Sequence, residues 1–237
     1  MLSGRGFAEK CTWVVDPRYP DLRPFQYAAA KHGDWVFVNG DYLPVFLRAI
    51  PFIRTKRFVV IVHNTDRAFG ERELGDVLPV SHHIFAINTT VRHERLTTIP
   101  IGFVDKQLPL LRAYTRPDTE RTIEIYANFT KSTNSVKRQQ CIDAFPHAVF
   151  RSNLSVPEYL DDLSKSKFVL CPEGTGMDTH RVYESILCGA TPVVLRNSLS
   201  HLYSSMPVCI VNSWTDPFHV PVNKEFSMEC SSYLTRK

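Results

Sequence analysis

An α/β fold in two doubly wound, Rossmann-like domains is what the sequence predicts, on three observations. Short apolar runs recur in two successive series, helical or loop segments separate the runs, and polar residues cluster just after them. The runs are continuous rather than alternating, as in strands of a parallel sheet with helices on both faces. At 237 residues the chain is long enough for two domains that each bury a core. Its 43% hydrophobic and 22% charged residues are those of an ordinary globular protein.

The first series predicts strands over 12–15, 35–38, 58–62, 83–87 and 97–101. Between the second and third, Asp41 is placed to cap a helix over 41–50, with Pro44 tolerated in its first turn. The pattern loosens through Pro109 and Pro117, which puts a linker near 104–120 and divides the chain into domains 1–112 and 113–237. The second series predicts strands over 122–127, 148–150, 167–171, 192–195 and 208–211. Within it Ser155-Val-Pro-Glu158 reads as a capping box, and Val156, Tyr159, Leu160 and Leu163 follow at the spacing of a one-faced helix. Alternating strands and helices imply right-handed crossovers, with ligand crevices at the carboxyl ends of the strands.

Several function classes are excluded by what is missing. A net charge of +4 from scattered basic residues does not make the clustered stripe that nucleic acid requires. No apolar run approaches the roughly 18 residues that span a bilayer, and the N-terminus lacks an apolar signal core, so the expected location is cytoplasmic with no transmembrane segment. The six cysteines form no C-x-x-C pair and fall mostly in apolar runs, so they are read as reduced, buried side chains. The sequons at Asn88, Asn128 and Asn153 are read as chance occurrences. Neither G-x-x-x-x-G-K-[ST] nor G-x-G-x-x-G is present, which disfavours an NTPase or a dehydrogenase. No two aspartates are separated by one residue, so no paired-carboxylate metal site for a pyrophosphate is expected.

Chemistry concentrates in residues 168–195, which read as strand, glycine-containing loop, helix and strand. Gly174 and Gly176 let backbone approach a ligand, Asp178 or Thr179 is placed to cap the helix, and Arg181 offers a fork for a phosphate at the helix opening. His180 and Glu184 share one helix face, where Glu184 faces hydroxyls just beyond that phosphate. The alternative is a capped helix with a solvated polar face. A second donor-rich turn runs from Asn128 through Thr130, Lys131, Thr133 and Asn134 to Arg138, and its cations beside a helix opening hint at a bound anion. In the first half Asp41, His63 and Asp66 follow buried strands and are candidate general bases, each equally readable as a cap or turn former. His82, His83 and His93 have no metal-ligand spacing with the cysteines and are read as structural.

The run Leu170-Cys-Pro-Glu-Gly-Thr-Gly-Met-Asp-Thr-His-Arg-Val-Tyr-Glu-Ser-Ile-Leu-Cys-Gly-Ala-Thr-Pro-Val-Val194 resembles the donor-binding signature of exostosin-like glycosyltransferases, in a small form without an anchor. Weaker likeness extends to Tyr126-Ala-Asn-Phe-Thr130 with Thr133-Asn134, and to Ile99-Pro-Ile-Gly102. The resemblance implies the GT-B architecture of two facing Rossmann-like domains, with a sugar nucleotide held mainly by the second. It implies that Arg181 neutralises the diphosphate, that Glu184 holds ribose or sugar hydroxyls, and that His180 with the loop of Glu173, Gly174, Thr175, Gly176 and Asp178 shapes the sugar pocket. Glu173 departs from the pattern, in which a basic residue is common, and this leaves the donor open.

The expected function is inverting transfer of a sugar from a nucleotide-sugar donor, UDP-xylose or a UDP-hexose, to a glycan hydroxyl, with no metal or other cofactor. The alternative is a non-catalytic module that binds a nucleotide or sugar phosphate. A hydrolase using Cys171 or Cys188 is disfavoured because neither has an activating partner outside its apolar run.

Overall fold

The computed structural model describes residues 1–49, 55–114 and 120–235. Ten strands form two five-stranded sheets in which every pairing is parallel. The chain therefore has the two-domain Rossmann-like α/β fold that its apolar series predict, and each predicted strand is present to within one to three residues at either end. Two compact units result, one of Met1–Asp105 with Ser227–Lys237 and one of Lys106–Phe226. The segment 115–119, part of the stretch read as linker and including Pro117, lies outside the described residues.

The first unit runs α1 (Gly4–Ala8), β1 (Trp13–Val15), β2 (Trp35–Asn39), α2 (Leu43–Arg48), β3 (Phe58–His63), α3 (Glu71–Val77), β4 (Ser81–Ala86) and β5 (Leu96–Thr98). Its sheet keeps chain order, β1-β2-β3-β4-β5. Every residue of β3 is buried, which is why that segment reads as an unbroken apolar run. Steps in one direction with right-handed crossovers put α2 and α3 on the same face. Phe46 and Leu43 of α2 and Leu74 and Val77 of α3 accordingly share a core with Val60 and Val62 of β3. Because side chains alternate across a strand, His63 points the other way, toward Phe7 of α1 at 5.3 Å and Phe37 at 6.1 Å between ring centroids.

The predicted cap of α2 needs correction. Asp41 does not supply it: Tyr42 holds the cap position of α2 without a side-chain bond, and the Asn39 side chain accepts from the Asp41 N–H at 2.9 Å to start a 3-10 turn, Gly40–Tyr42, ahead of α2. Asparagine at the end of a strand closes such a turn by accepting from the N–H two residues on. The predicted helix end at Ile50 lies outside the described residues.

The second unit runs α4 (Leu108–Ala113), β6 (Ile123–Ala127), α5 (Ser135–Ala144), β7 (Val149–Phe150), α6 (Val156–Lys165), β8 (Ser166–Leu170), α7 (His180–Leu187), β9 (Thr191–Leu195), α8 (Ser200–Tyr203) and β10 (Cys209–Val211). Its sheet order is β10-β9-β8-β6-β7, so the chain steps outward from β6 to β7 and then returns past β6 to build β8, β9 and β10. Reversal of direction sends α5 to one face and α6 and α7 to the other, and it opens a crevice between the carboxyl ends of β6 and β8. The capping box of α6 is present: the Ser155 N–H donates to Glu158 at 2.8 Å. Arg121 fastens the lower ends of the helices, donating to the carbonyls of Leu163, Ser166 and Cys188 at 2.9–3.2 Å.

Among the described residues no helix is long and apolar enough to cross a membrane. All six cysteines are free, and burial pushes the thiols of Cys141 and Cys171 up to about 12, which leaves them inert at neutral pH.

Two glycines give opposite expectations. A Cβ on Gly75, within α3, meets nothing within 4 Å, whereas on Gly102, at φ +68°, it lies 2.4 Å from the Leu2 carbonyl oxygen. Gly75→Ala is expected to stabilise the fold by about 0.5–1 kcal/mol. Gly102→Ala is expected to destabilise it by more than about 1 kcal/mol, both read by denaturant unfolding.

Candidate functional site

The switch point of the second sheet is where the polar residues of this unit collect. After β6 the chain makes a 3-10 turn, Lys131–Asn134, and enters α5; after β8 it runs through the glycine-containing loop into α7. Asn134 joins the two loops, since its side-chain carbonyl caps α5 at the Lys137 N–H (3.3 Å) while its amide donates to the Gly174 carbonyl (3.0 Å). Thr133 and Thr175 continue the join: the Thr133 hydroxyl donates to the Thr130 carbonyl at 3.0 Å, and that of Thr175 to the Thr133 carbonyl at 3.5 Å.

Two arginines from opposite sides of the crevice meet here. Arg138 of α5, only 5% exposed, donates from Nε to the Glu173 carbonyl at 3.0 Å and from Nη1 to the Thr130 carbonyl at 2.5 Å. Arg181, in the first turn of α7, donates from Nε to the Asn128 carbonyl at 2.7 Å, and its Nη1 is buried without a partner. Among the described residues neither guanidinium forms an ion pair with a carboxylate. Burial and then the Arg181 charge pull the Arg138 guanidinium down to about 10. A buried pair of like charges without counter-charge is costly unless an anion joins it.

Phe129, which the sequence reading passes over as a candidate, lies between them. Its ring centroid is 5.3 Å from the Arg138 guanidinium carbon and 5.5 Å from that of Arg181. Three consecutive residues thus hold both cations, Asn128 and Thr130 through their carbonyls and Phe129 through its ring. An aromatic between two strand-end polar residues has no distinct spacing, so only the through-space contact reveals it.

The remaining predicted donor residues divide by environment. Glu184 is buried at 5% exposure and accepts from the Tyr159 hydroxyl at 2.9 Å. Burial and the Glu184 charge raise the Tyr159 hydroxyl well above its ordinary value, so it stays a donor. Of the two predicted caps of α7, Thr179 occupies the cap position but makes no capping bond, and its hydroxyl is buried without a partner. The Asp178 carboxylate is 3% exposed and accepts from the hydroxyls of Tyr183 (2.5 Å) and Tyr203 (2.7 Å), anchoring the loop to α7 and α8. Glu173 pairs with Lys137 and accepts from the Asn197 amide at 2.8 Å. Gly176 is buried, and its carbonyl accepts from the Gly174 N–H at 3.0 Å, which makes the loop a tight turn. His180 is half-buried and opens α7.

In the first unit the three candidate bases part company. His63 is 1% exposed, with Nδ1 against the Asn64 side chain at 2.9 Å and Nε2 against the Pro100 carbonyl at 3.3 Å, so it braces the end of β3 rather than facing solvent. Asp41 is half-exposed and accepts from the Thr65 hydroxyl at 2.8 Å. Asp66 is exposed.

A carboxylate that the motif reading did not single out, Asp16, follows β1 and is gripped by the Arg18 fork at 2.9–3.2 Å and by the Asn64 amide at 2.9 Å. Burial pushes the Asp16 carboxyl up, but the hydrogen bonds of Arg18 and Asn64 outweigh it and the net direction is down.

With this geometry in place, the class of protein is a two-unit Rossmann-like α/β protein with a cationic crevice at the switch point of its second sheet. Residues 120–229 match the family model of the RXYLT1 C-terminal domain. That model describes an exostosin-type domain, and the matched stretch contains residues 170–194, so the match is consistent with the exostosin-like resemblance of the sequence. No curated protein matches the chain at significant similarity.

Two measurements probe these arrangements. Phe129→Leu removes two cation–π contacts worth about 0.5–1 kcal/mol each, and it is expected to lower stability by about 1–2 kcal/mol, read by urea unfolding. For Asp16, a lowered folded-state pKa means that its stabilisation is complete above the unfolded value of about 3.9 and is lost as pH falls through the lower folded value. Asp16→Asn is therefore expected to reduce stability at neutral pH and to flatten the acid limb of the stability curve, read by urea unfolding across pH.

Proposed function

We propose that the chain is an inverting glycosyltransferase that moves a sugar from a UDP-sugar to a hydroxyl of a glycan acceptor without a metal ion. The observation that carries this reading is the Arg138–Arg181 pair at the switch point beside the opening of α7, Arg138 buried and Arg181 half-buried, with no carboxylate partner among the described residues. A diphosphate supplies the missing negative charge, the positive end of the α7 dipole favours it, and the buried Thr179 hydroxyl supplies a further donor. Glu184, steered by Tyr159, is placed one turn along the helix for ribose or sugar hydroxyls. Xylose is the first sugar to test because the matching family model is that of a xylosyltransferase domain; a hexose is the second.

In this mechanism a general base takes the acceptor proton while the acceptor oxygen attacks the anomeric carbon. The bond from that carbon to the diphosphate breaks, and the two arginines receive the charge that develops on the leaving group. Such preorganised charge stabilisation is worth roughly 3 kcal/mol when a single donor is lost, about a hundredfold in rate.

UDP, UDP-xylose, UDP-glucose and GDP-mannose are compared in a thermal-shift series. The UDP compounds are expected to raise apparent stability by about 2.7 kcal/mol at a hundredfold excess over Kd. Arg181→Ala is expected to abolish that shift and to lower UDP release from the sugar nucleotide at least about a hundredfold, with release by the wild type insensitive to EDTA. Wild-type kinetics in Arg181→Ala would overturn the assignment. Tight UDP binding with no release over hours would leave a non-catalytic binding module in its place.

A further inference from the structure

We propose that the amino-terminal edge of the first sheet is a docking face for an anionic membrane surface, where lysine and arginine side chains meet the charged headgroups of lipids. This goes beyond the transferase reading and does not depend on it.

All five strands of this sheet run the same way, so the residues that lead into them gather at one end. Segments far apart in the chain meet there. The Gly33 N–H donates to the Arg57 carbonyl at 2.8 Å, the Arg57 N–H donates to Nδ1 of His32 at 3.3 Å, and Nε2 of His32 lies 2.9 Å from Nε2 of His82. Lys56 donates to the Ala30 carbonyl at 2.7 Å, and Arg95, leading into β5, donates to the Ser81 carbonyl at 3.0 Å. Lys31, Lys56, Arg57 and Arg95, scattered in the sequence, thus make one basic strip.

Their charge is not cancelled. Among the described residues none of the four forms an ion pair with a carboxylate, and the donors that Lys56 and Arg95 use go to carbonyls, which carry no net charge. Two acids lie in the segments that lead into β2 to β5. Asp34 is taken up by the Trp13 indole at 2.7 Å and the Lys31 N–H at 2.8 Å, and Glu94 is exposed.

The number of cations selects the partner. Anionic lipid surfaces are held by clusters of about 4–8 Lys or Arg, whereas nucleic acid is commonly held through roughly 6–10 phosphate contacts. Four cations meet the first need and fall short of the second. Tyr27 points the same way, since it is 48% exposed and its carbonyl accepts from Nζ of Lys56 at 3.3 Å. An exposed tyrosine beside a lysine suits the level of the headgroups, where the ring finds apolar neighbours and the hydroxyl keeps its water.

The test is co-sedimentation of the full chain with vesicles of phosphatidylcholine, alone or mixed with phosphatidylserine, in low and in high salt. Binding is expected only to the vesicles with phosphatidylserine, and it is expected to disappear at high salt, where the charges are screened. Excess UDP is expected to leave it unchanged, because Arg138 and Arg181 belong to the other unit. Lys31 and Arg57 make no side-chain hydrogen bond or ion pair among the described residues, so Lys31→Gln with Arg57→Gln is expected to weaken binding by about 30-fold at an unchanged melting temperature. Tyr27→Ser is expected to weaken it without changing its salt dependence. Lys165→Gln with Lys167→Gln, which removes the same charge from the second unit, is expected to have no effect. No binding, equal binding to both vesicles, unchanged binding by Lys31→Gln with Arg57→Gln, an equal loss in the control pair, or release by UDP would each overturn the inference. Tighter binding to a duplex oligonucleotide than to the vesicles would also overturn it and assign the edge to nucleic acid.

Discussion

Two guanidinium groups held side by side, Arg138 buried and Arg181 half-buried, are the constraint around which the second unit is organised. Left alone, Arg138 and Arg181 would repel, and burial of either would cost several kcal/mol. They stay because the backbone between β6 and α5 offers each a carbonyl and both an aromatic face. The same arrangement explains the glycine that follows Glu173. A Cβ on Gly174 would lie 2.8 Å from Nη2 of Arg138, so the loop passes over that arginine only where no side chain intervenes. Stability is spent here on a site, which is how functional positions usually depart from the rules of a comfortable interior.

Strand order decides which unit has such a site. Both sheets are parallel and five-stranded, built from similar apolar runs, yet the first keeps chain order and the second reverses after β7. Only the reversal parts two consecutive loops to opposite faces and leaves a crevice lined by strand ends. In the first unit the same crossover rule does something else, setting two short helices against one face with a pocket between them. Two kinds of concavity thus arise from one rule of handedness applied to two strand orders.

Legibility followed the range of the interaction. The ten strands and the capping box of α6 depend on local patterning, and the residues that make them lie within a few positions of each other. Caps were less legible. Asn39, Asp41 and Thr179 are all suitable residue types, yet Asn39 reaches the Asp41 N–H first and Thr179 at the opening of α7 makes no capping bond. His63 read as a candidate base because it ends a strand, but the pleat turns it inward against Phe7. Phe129 had no local signature at all.

What the sequence by itself determined is the α/β class, the two series of parallel strands, and the residue types gathered after β6 and β8, because apolar periodicity and glycine or capping chemistry act over a turn or a strand. Tertiary structure alone decided strand order, the meeting of Arg138 with Arg181 across the crevice, and the face on which each strand-end polar residue emerges. Those outcomes depend on crossovers that bring together positions 40 or more residues apart, as the Arg181 bond to Asn128 does across 53, and no local pattern encodes such a distance.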